Sequence, residues 1–277
     1  MGRLKHMSNT LLISFKKNVL GALFSPLRLL VVQRGLMRLL VRRDMLSRTS
    51  GTVLGGMWLI AQPALQIFGL WFFLDIVIRV RSTSHVPFMD YFLVGMLAWM
   101  MISEILSRNL MVMQEFGALY QRSVFPLPLL PLLPITISSL TYGAVLVVVV
   151  LLLHGPLAAL NSVFVLGALA LWLIPFSYLI AVLGLFIKEL RQVIPFALTL
   201  LMYLSPIMYM PDLLPKALQP WMVFNPIADI MAMVHGLIQG TEWNAGNFLR
   251  PLGLWAVMLP VSWVLFRRTE PHMREAL

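Results

Sequence analysis

Long apolar blocks separated by short polar stretches set the pattern of this chain. A helix that crosses a bilayer needs about 20 mostly apolar residues. Blocks of that kind predict spans over residues 53–78, 88–107, 132–154, 163–187, 193–210 and 248–266. Between the last two, residues 206–240 are apolar but carry Pro206, Pro211, Pro215, Pro220 and Pro226. Proline removes a backbone donor and disrupts helices, and broken backbone facing lipid is not viable. This stretch is expected to dip in from the far side as short re-entrant helices, or to lie at the interface. Residues 27–48 follow another rule. Arg34, Arg38 and Arg42 recur every four residues, so a helix places them on one face, with Leu29, Leu36 and Leu40 among the apolar remainder. That is the pattern of a helix lying in the headgroup plane. The expected fold is therefore all-α and membrane-integral: six transmembrane helices, an N-terminal interfacial amphipathic helix, and re-entrant outer helices before the last span.

Composition agrees with lipid as the solvent. Of 277 residues, 60% are apolar and 12% charged, against roughly 45–50% and 25% in soluble domains. The net charge of +10 is uneven, with ten of the 21 Lys and Arg in the first fifty residues beside a single acid, Asp44. These cations border apolar blocks, which favours the anionic membrane surface over nucleic acid as their partner. With the N-terminus inside, the inner segments hold residues 1–50, Arg108, Arg122, Lys188, Arg191, Arg267, Arg268 and Arg274. The outer segments hold Arg79, Arg81, Lys216 and Arg250. That division, 17 against 4, places both termini in the cytoplasm. Residues 1–20 lack a long apolar core and carry Lys16 and Lys17, so no cleavable signal peptide is expected. The chain has no cysteine, which removes disulfides, thiol catalysis and Cys-ligated metals.

Several chemistries are missing. No histidine is followed by Glu, so there is no HExxH zinc motif, and no GxSxG elbow occurs. No Asp-rich cluster suits magnesium and a diphosphate. Asp75, Asp90 and Glu104 lie near span ends, Glu189 in an inner loop, and Asp212, Asp229 and Glu242 in the outer region. Ion-coupled transporters keep such groups within the membrane, so proton or sodium coupling is poorly supported. There is no GxxxxGK[ST] loop to cradle ATP. Active transport would need a second polypeptide gripping an inner surface, and the mixed segment 114–122 is the candidate; an ordinary solvated loop has the same composition. Trp58, Trp71, Phe72, Tyr203 and Tyr209 fall within or at the ends of the first and fifth spans. Aromatic rings there stack on sugars, and they also form lipid belts and helix contacts.

Four stretches, in order along the chain, carry a family resemblance. VRRDMLSRTSGTVLGGMWLIAQPALQI (41–67) holds Arg43, Asp44, Leu54, Gly55, Trp58 and Pro63. LYQRSVFPLPLLPLLPITISS (119–139) has a basic segment and a Phe-Pro step. KELRQVIPFALTLLMYLSPIMYMPDLLP (188–215) and FNPIADIMAMVHGLIQG (224–240) follow. Together they resemble the transmembrane subunit of ABC-2 type exporters of cell-surface polysaccharides, most of all the O-antigen exporters, with capsule and teichoic-acid exporters as relatives. Glu189-Leu190 and His235 depart from the family pattern.

The resemblance implies one ABC-2 type transmembrane domain over 1–277, working as a homodimer with two ATP-binding-cassette subunits in the bacterial inner membrane. ATP and magnesium would reside on those subunits and no cofactor on this chain. Gln114, Glu115, Phe116, Leu119, Tyr120 and Arg122 would belong to the coupling helix. Near where a lipid-linked polysaccharide would be taken in, Arg34, Arg38, Arg42 and Arg43 would either handle its lipid headgroup or serve only to anchor the N-terminal helix and set topology; surface electrostatics supports both. The aromatics named above would line a channel at the dimer axis. Pro206, Pro211, Pro215, Asn225 and Pro226 would shape the outer gate. An ABC-2 exporter of small lipids or drugs, a membrane-embedded glycan or lipid enzyme, and a structural scaffold are the other readings, and none involves nucleic acid.

Overall fold

The computed structural model describes residues 26–49, 55–79, 86–117, 125–215, 217 and 219–276. Among them every regular element is helical. A short helical segment, 26–32, leads into α1 (Arg34–Thr49). Met37, Leu40 and Asp44 of α1 are buried, while Arg34, Arg38 and Arg42 are exposed. The four-residue spacing of the arginines thus becomes one outward face, as expected.

After a 3-10 turn (Gly55–Met57), α2 (Trp58–Trp71) continues through a π-helical turn (Phe72–Val77). Then α3 (Phe88–Asn109) starts from Pro87, whose extended ψ of 141° sets the chain before the first helical turn. α4 (Leu132–Ser138), a second π turn (Ser139–Gly143) and α5 (Ala144–Phe186) follow in one helical run. The run is not straight. Gly155 has φ 83° and ψ −175°, a conformation open to glycine because it lacks a Cβ. Pro156 after it disfavours a helical conformation at residue 155 and then fits the first helical turn beyond. Contacts show that the chain reverses there. Tyr178 Oη donates to Pro128 O at 2.6 Å, and a Cβ on Gly143 would lie 3.2 Å from the Leu166 side chain. Both pairs are nearly symmetric about residue 155, which defines an antiparallel hairpin. Its second arm starts at Pro156, not at the expected residue 163.

α6 (Leu190–Leu204) ends six residues before the expected 210. The apolar run continues, but Pro206 pushes the residue before it into extended backbone, and Ser205 sits at φ −108°, ψ 150°. Two 3-10 turns, Pro211–Leu213 and Gln219–Phe224, precede α7 (Pro226–Gln239). α7 starts on an Asn225 cap, whose Oδ1 accepts from Ile227 N at 3.0 Å, with Pro226 in the first turn. It stops at Gly240, φ 72°, whose N–H reaches Gly236 O. α8 (Ala245–Ala276) closes the chain.

Four helical runs among the described residues are long and apolar enough to cross a membrane: Gly55–Val77, Phe88–Asn109, Leu127–Phe186 and Ala245–Met273. The third contains the Gly155 hairpin. α6, at 15 residues, is about 22 Å long.

α3 is the centre. Fourteen of its 22 residues are buried, including Phe92, Val94, Met96, Met101 and Ile102. Prolines inside the other helices free carbonyls, and an indole takes up one of them. Pro175 cannot donate to Leu171 O, so Trp255 Nε1 does, at 2.9 Å, while Trp172 Nε1 donates to Pro251 O at 3.1 Å. The two bonds fasten α5 to α8.

α5 approaches the C-terminal end of α3 closely at Gly184. A Cβ there would lie 2.5 Å from Leu110 O and 2.7 Å from Leu110 Cα. Gly184→Ala would gain up to about 1 kcal/mol of helix propensity and lose about 1–3 kcal/mol to overpacking. The expected result is a lower thermal unfolding midpoint in detergent. Gly167→Ala, where a Cβ meets nothing within 4 Å, should be neutral or stabilising.

Candidate functional site

At the end of the molecule where α3 finishes, four charges join α1 to α3. Arg108 Nη2 donates to Asp44 Oδ1 at 2.6 Å, and Arg48 Nε lies 3.1 Å from Asp44 Oδ2. Arg48 Nη2 also reaches Glu104 Oε1 at 3.0 Å. Asp44 is 7% exposed and Arg108 14%. A carboxylate that deep is tolerated because both oxygens face guanidinium groups. Helical spacing puts Asp44 and Arg48 one turn apart on α1, and Glu104 and Arg108 one turn apart on α3, so the two pairs interlock. Arg43 lies beside them with its guanidinium carbon 5.9 Å from the Phe116 ring centre.

The predicted coupling segment, 114–122, begins inside a single helical turn, Val112–Glu115, that follows the end of α3. Phe116 is buried, Gln114 half-buried and Glu115 exposed. Arg191, in the first turn of α6, donates through Nη2 to Gln114 Oε1. The segment after α3 is thereby tied both to α1, through Phe116 and Arg43, and to α6, through Gln114 and Arg191. Leu119, Tyr120 and Arg122 lie outside the described residues. The sequence reading missed the partners Glu104, Arg108 and Arg191, which stand 56–77 residues from those they bind.

Two helices present mixed polar and aromatic faces outward. On α2, Trp58, Gln62 and Gln66 are exposed and follow helical spacing, and Phe73 in the π-helical turn continues the row; on α6, Gln192, Phe196, Thr199 and Tyr203 do the same. Of α2 proper, Pro63 and Ile67 are buried. The two glutamines, a turn apart in the middle of an apolar run, were not among the predicted site residues, although the i, i+4 amides were visible in the sequence. Phe72 is exposed and Trp71 half-buried. Trp71 Nε1 meets no acceptor among the described residues. Tyr209 is half-buried, beyond the end of α6.

At the opposite end, Tyr91 of α3 donates to Pro206 O at 3.0 Å and stacks on His235, ring centres 3.7 Å apart. His235 is buried against Gly95 and its Nδ1 is 2.9 Å from Gln239 Oε1. Burial pushes this imidazole down to about 4, so it is neutral at ordinary pH. Asn225 Nδ2 donates to Ser205 Oγ at 2.8 Å, fixing the start of α7 to the end of α6. Asn161 Nδ2 donates to Leu237 O at 2.9 Å, so the far end of α7 also stays near the Gly155 turn. Asp229 of α7 receives Arg250 Nε at 2.8 Å and Asn247 Nδ2 at 2.7 Å from α8. Pro206 is buried, Pro226 half-buried, and Pro211 and Pro215 exposed. Among the described residues no group of three His, Asp or Glu is placed to hold a metal ion.

Residues 35–239 match the family described as ABC-2 type transporter. The match runs from the first turn of α1 to the last residue of α7. Two similar curated proteins, both named O-antigen export system permease protein RfbA and both from Klebsiella pneumoniae, are 22% identical to the chain. One aligns over 215 residues, 76% of this chain and 82% of the relative. The other aligns over 202 residues, 71% and 77%. With most of its length inside the family match, the chain belongs to the ABC-2 type transporter family.

The α1–α3 network is testable as a unit. Arg108→Met should destabilise the protein by on the order of 3 kcal/mol, because it leaves Asp44 buried with half its counter-charge. Combined with Asp44→Asn, the loss should fall short of the sum by about 1–3 kcal/mol. Denaturant unfolding of the two single variants and the double variant measures this, and strict additivity would rule out the coupling.

Proposed function

We propose that this member of the ABC-2 type transporter family is the channel-forming membrane subunit of a bacterial ATP-driven exporter, and that its cargo is a lipid-linked O-antigen-type polysaccharide crossing the inner membrane. Family membership makes the chain a membrane transport subunit and implies an ATP-binding-cassette partner. The names of the two relatives favour O-antigen over capsule, teichoic acid or small amphiphiles as cargo.

The observation that carries the reading is the outward face of α2. Gln62 and Gln66 are exposed in the middle of an apolar span. Facing hydrocarbon, their amides would lack partners and cost free energy. Facing a water-filled path or a second copy, they are satisfied. Amides and rings also suit a sliding glycan. Each amide contact is worth only about 1 kcal/mol net, so a polymer passes from one to the next without being trapped, as it would be by close ion pairs.

In this reading residues 1–277 form one transmembrane domain with six crossings. The hairpin at Gly155 divides the longest run into two, and α6 is completed by the turns after it. The arginine-rich end faces the cytoplasm, with both termini there. Two copies put the α2 and α6 faces, with Trp58, Trp71, Phe72, Tyr203 and Tyr209, around the channel. The segment with Gln114, Glu115, Phe116, Leu119, Tyr120 and Arg122 docks on the ATPase, which holds ATP and magnesium. Arg34, Arg38, Arg42 and Arg43 meet the lipid headgroup of the incoming polymer. The turns bearing Pro206, Pro211 and Pro215, and α7 from Asn225 and Pro226, form re-entrant outer helices that gate the exit.

Co-expression with a cognate ATP-binding-cassette chain tests this. The expected result is a complex of two copies of each chain, in which export of lipid-linked polysaccharide requires ATP hydrolysis. Export by this chain alone, driven by an ion gradient, would refute it.

A further inference from the structure

At the arginine-rich end, a cavity of about 600 Å³ lies between the leading segment 26–33, the stretch before α4, and the last turns of α8. It is separate from the α1–α3 network and from the outward faces of α2 and α6. It also draws on α8, which lies beyond the family match. Its lining divides by chemistry. Arg28, Gln33, Arg267 and Glu270 are polar; Leu29, Val32 and the Phe125-Pro126 step are among the apolar residues.

The walls are fixed. Tyr178 is wholly buried, donates to Pro128 O at 2.6 Å, and meets Trp263 edge-on with ring centres 5.4 Å apart. One phenol thus holds both Pro128 and Trp263, which line the cavity on opposite elements. Arg267 is held from two sides. Its Nη1 is 2.8 Å from Glu270 Oε2, and its guanidinium carbon is 5.9 Å from the Trp263 ring centre. A guanidinium has five N–H donors, so one ion pair leaves most of them to spare. Arg28 is exposed on the leading segment. Among the described lining residues, two arginines stand against one glutamate.

We propose that this cavity is a binding site for the headgroup of an anionic phospholipid, with Arg28 and Arg267 on the phosphate and the apolar wall under the glycerol and the first acyl carbons. Depth supports a lipid over a soluble anion. Arg267 immediately follows the apolar body of α8, where a cytoplasmic headgroup region begins, and Arg28, Leu29 and Val32 of the segment 26–32 line the same cavity. A soluble phosphate has no use for the apolar wall, whereas a phospholipid presents charge and hydrocarbon in the order the cavity does. The proposal takes from the preceding reading only that this end faces the cytoplasm, and nothing about cargo.

Native mass spectrometry of the purified full-length chain, incubated in detergent with dioleoylphosphatidylglycerol, tests the site. The expected result is one retained lipid per chain, with dioleoylphosphatidylcholine retained less. Arg28→Gln should reduce retention about fivefold and Arg28→Gln/Arg267→Gln at least about tenfold, as loss of surface cations facing acidic lipid implies. Arg28 is exposed, so its variant should keep the wild-type unfolding midpoint, and the test stands even if Arg267→Gln misfolds. Lys188→Gln, at an exposed cation outside the cavity, should retain lipid as the wild type does. The site is overturned if the Arg28 variant retains lipid fully, or if Lys188→Gln loses as much. Equal retention of phosphatidylcholine, or displacement of the lipid by inorganic phosphate at millimolar concentration, would also overturn it. Cargo transport and membrane orientation play no part in the readout, so failure here leaves the exporter reading intact.

Discussion

Helices in lipid are not pressed together by the hydrophobic effect, so close backbone approach and a few polar ties must hold this molecule around one helix. That helix is α3. At one end Leu110 packs on bare Gly184; at the other, Gly95 leaves room for His235 and the Ile207 carbonyl. A side chain at either glycine would push a neighbouring element away. Polar ties reinforce both ends: Arg108 on Asp44, and Tyr91 on Pro206 O. α1, the Gly155 hairpin and the turns after α6 all take their positions from these contacts.

The same contacts give a physical route between the ends. The turn after α3 touches α1 through Phe116 and Arg43 and the start of α6 through Gln114 and Arg191. In the proposed exporter, a push on that turn would reach the interfacial helix and α6 together. α6 in turn ends at Ser205, to which Asn225 at the head of α7 is bonded. In that reading α6 connects the ATPase side to the outer turns, and it carries an exposed face with Tyr203.

Much of this was legible in the sequence, for reasons that can be named. Spans announce themselves by length and composition, and the three arginines of α1 by spacing, since both signals are local. The backbone breaks were harder. Hydropathy runs unbroken from Leu204 to Met210, yet Pro206 ends α6 at Leu204; the apolar signal carries no information about ψ. Gly155-Pro156 was likewise present as a turn signal inside apolar sequence, and the second arm was placed seven residues late. The charged site was the least legible. Asp44 and Arg43 stood out by resemblance, but Glu104 and Arg108 looked like ordinary span-end charges, and nothing local links them to residues about sixty positions away. Gln62 and Gln66 were less legible for another reason: aromatic rings are the familiar mark of a sugar path, while amides are groups that lipid tolerates poorly.

The central claim is that the outward face of α2 meets water or a partner, not hydrocarbon. The chain has no cysteine, so single thiols report without background. Thiols react as thiolates, which form in water and not in lipid. In membranes holding the assembled complex, Gln62→Cys should react with a small charged methanethiosulfonate reagent, or crosslink to its copy on oxidation. Val163→Cys on α5, 53% exposed in the isolated chain and on no proposed channel face, should do neither. Equal inertness of the two thiols would contradict the account.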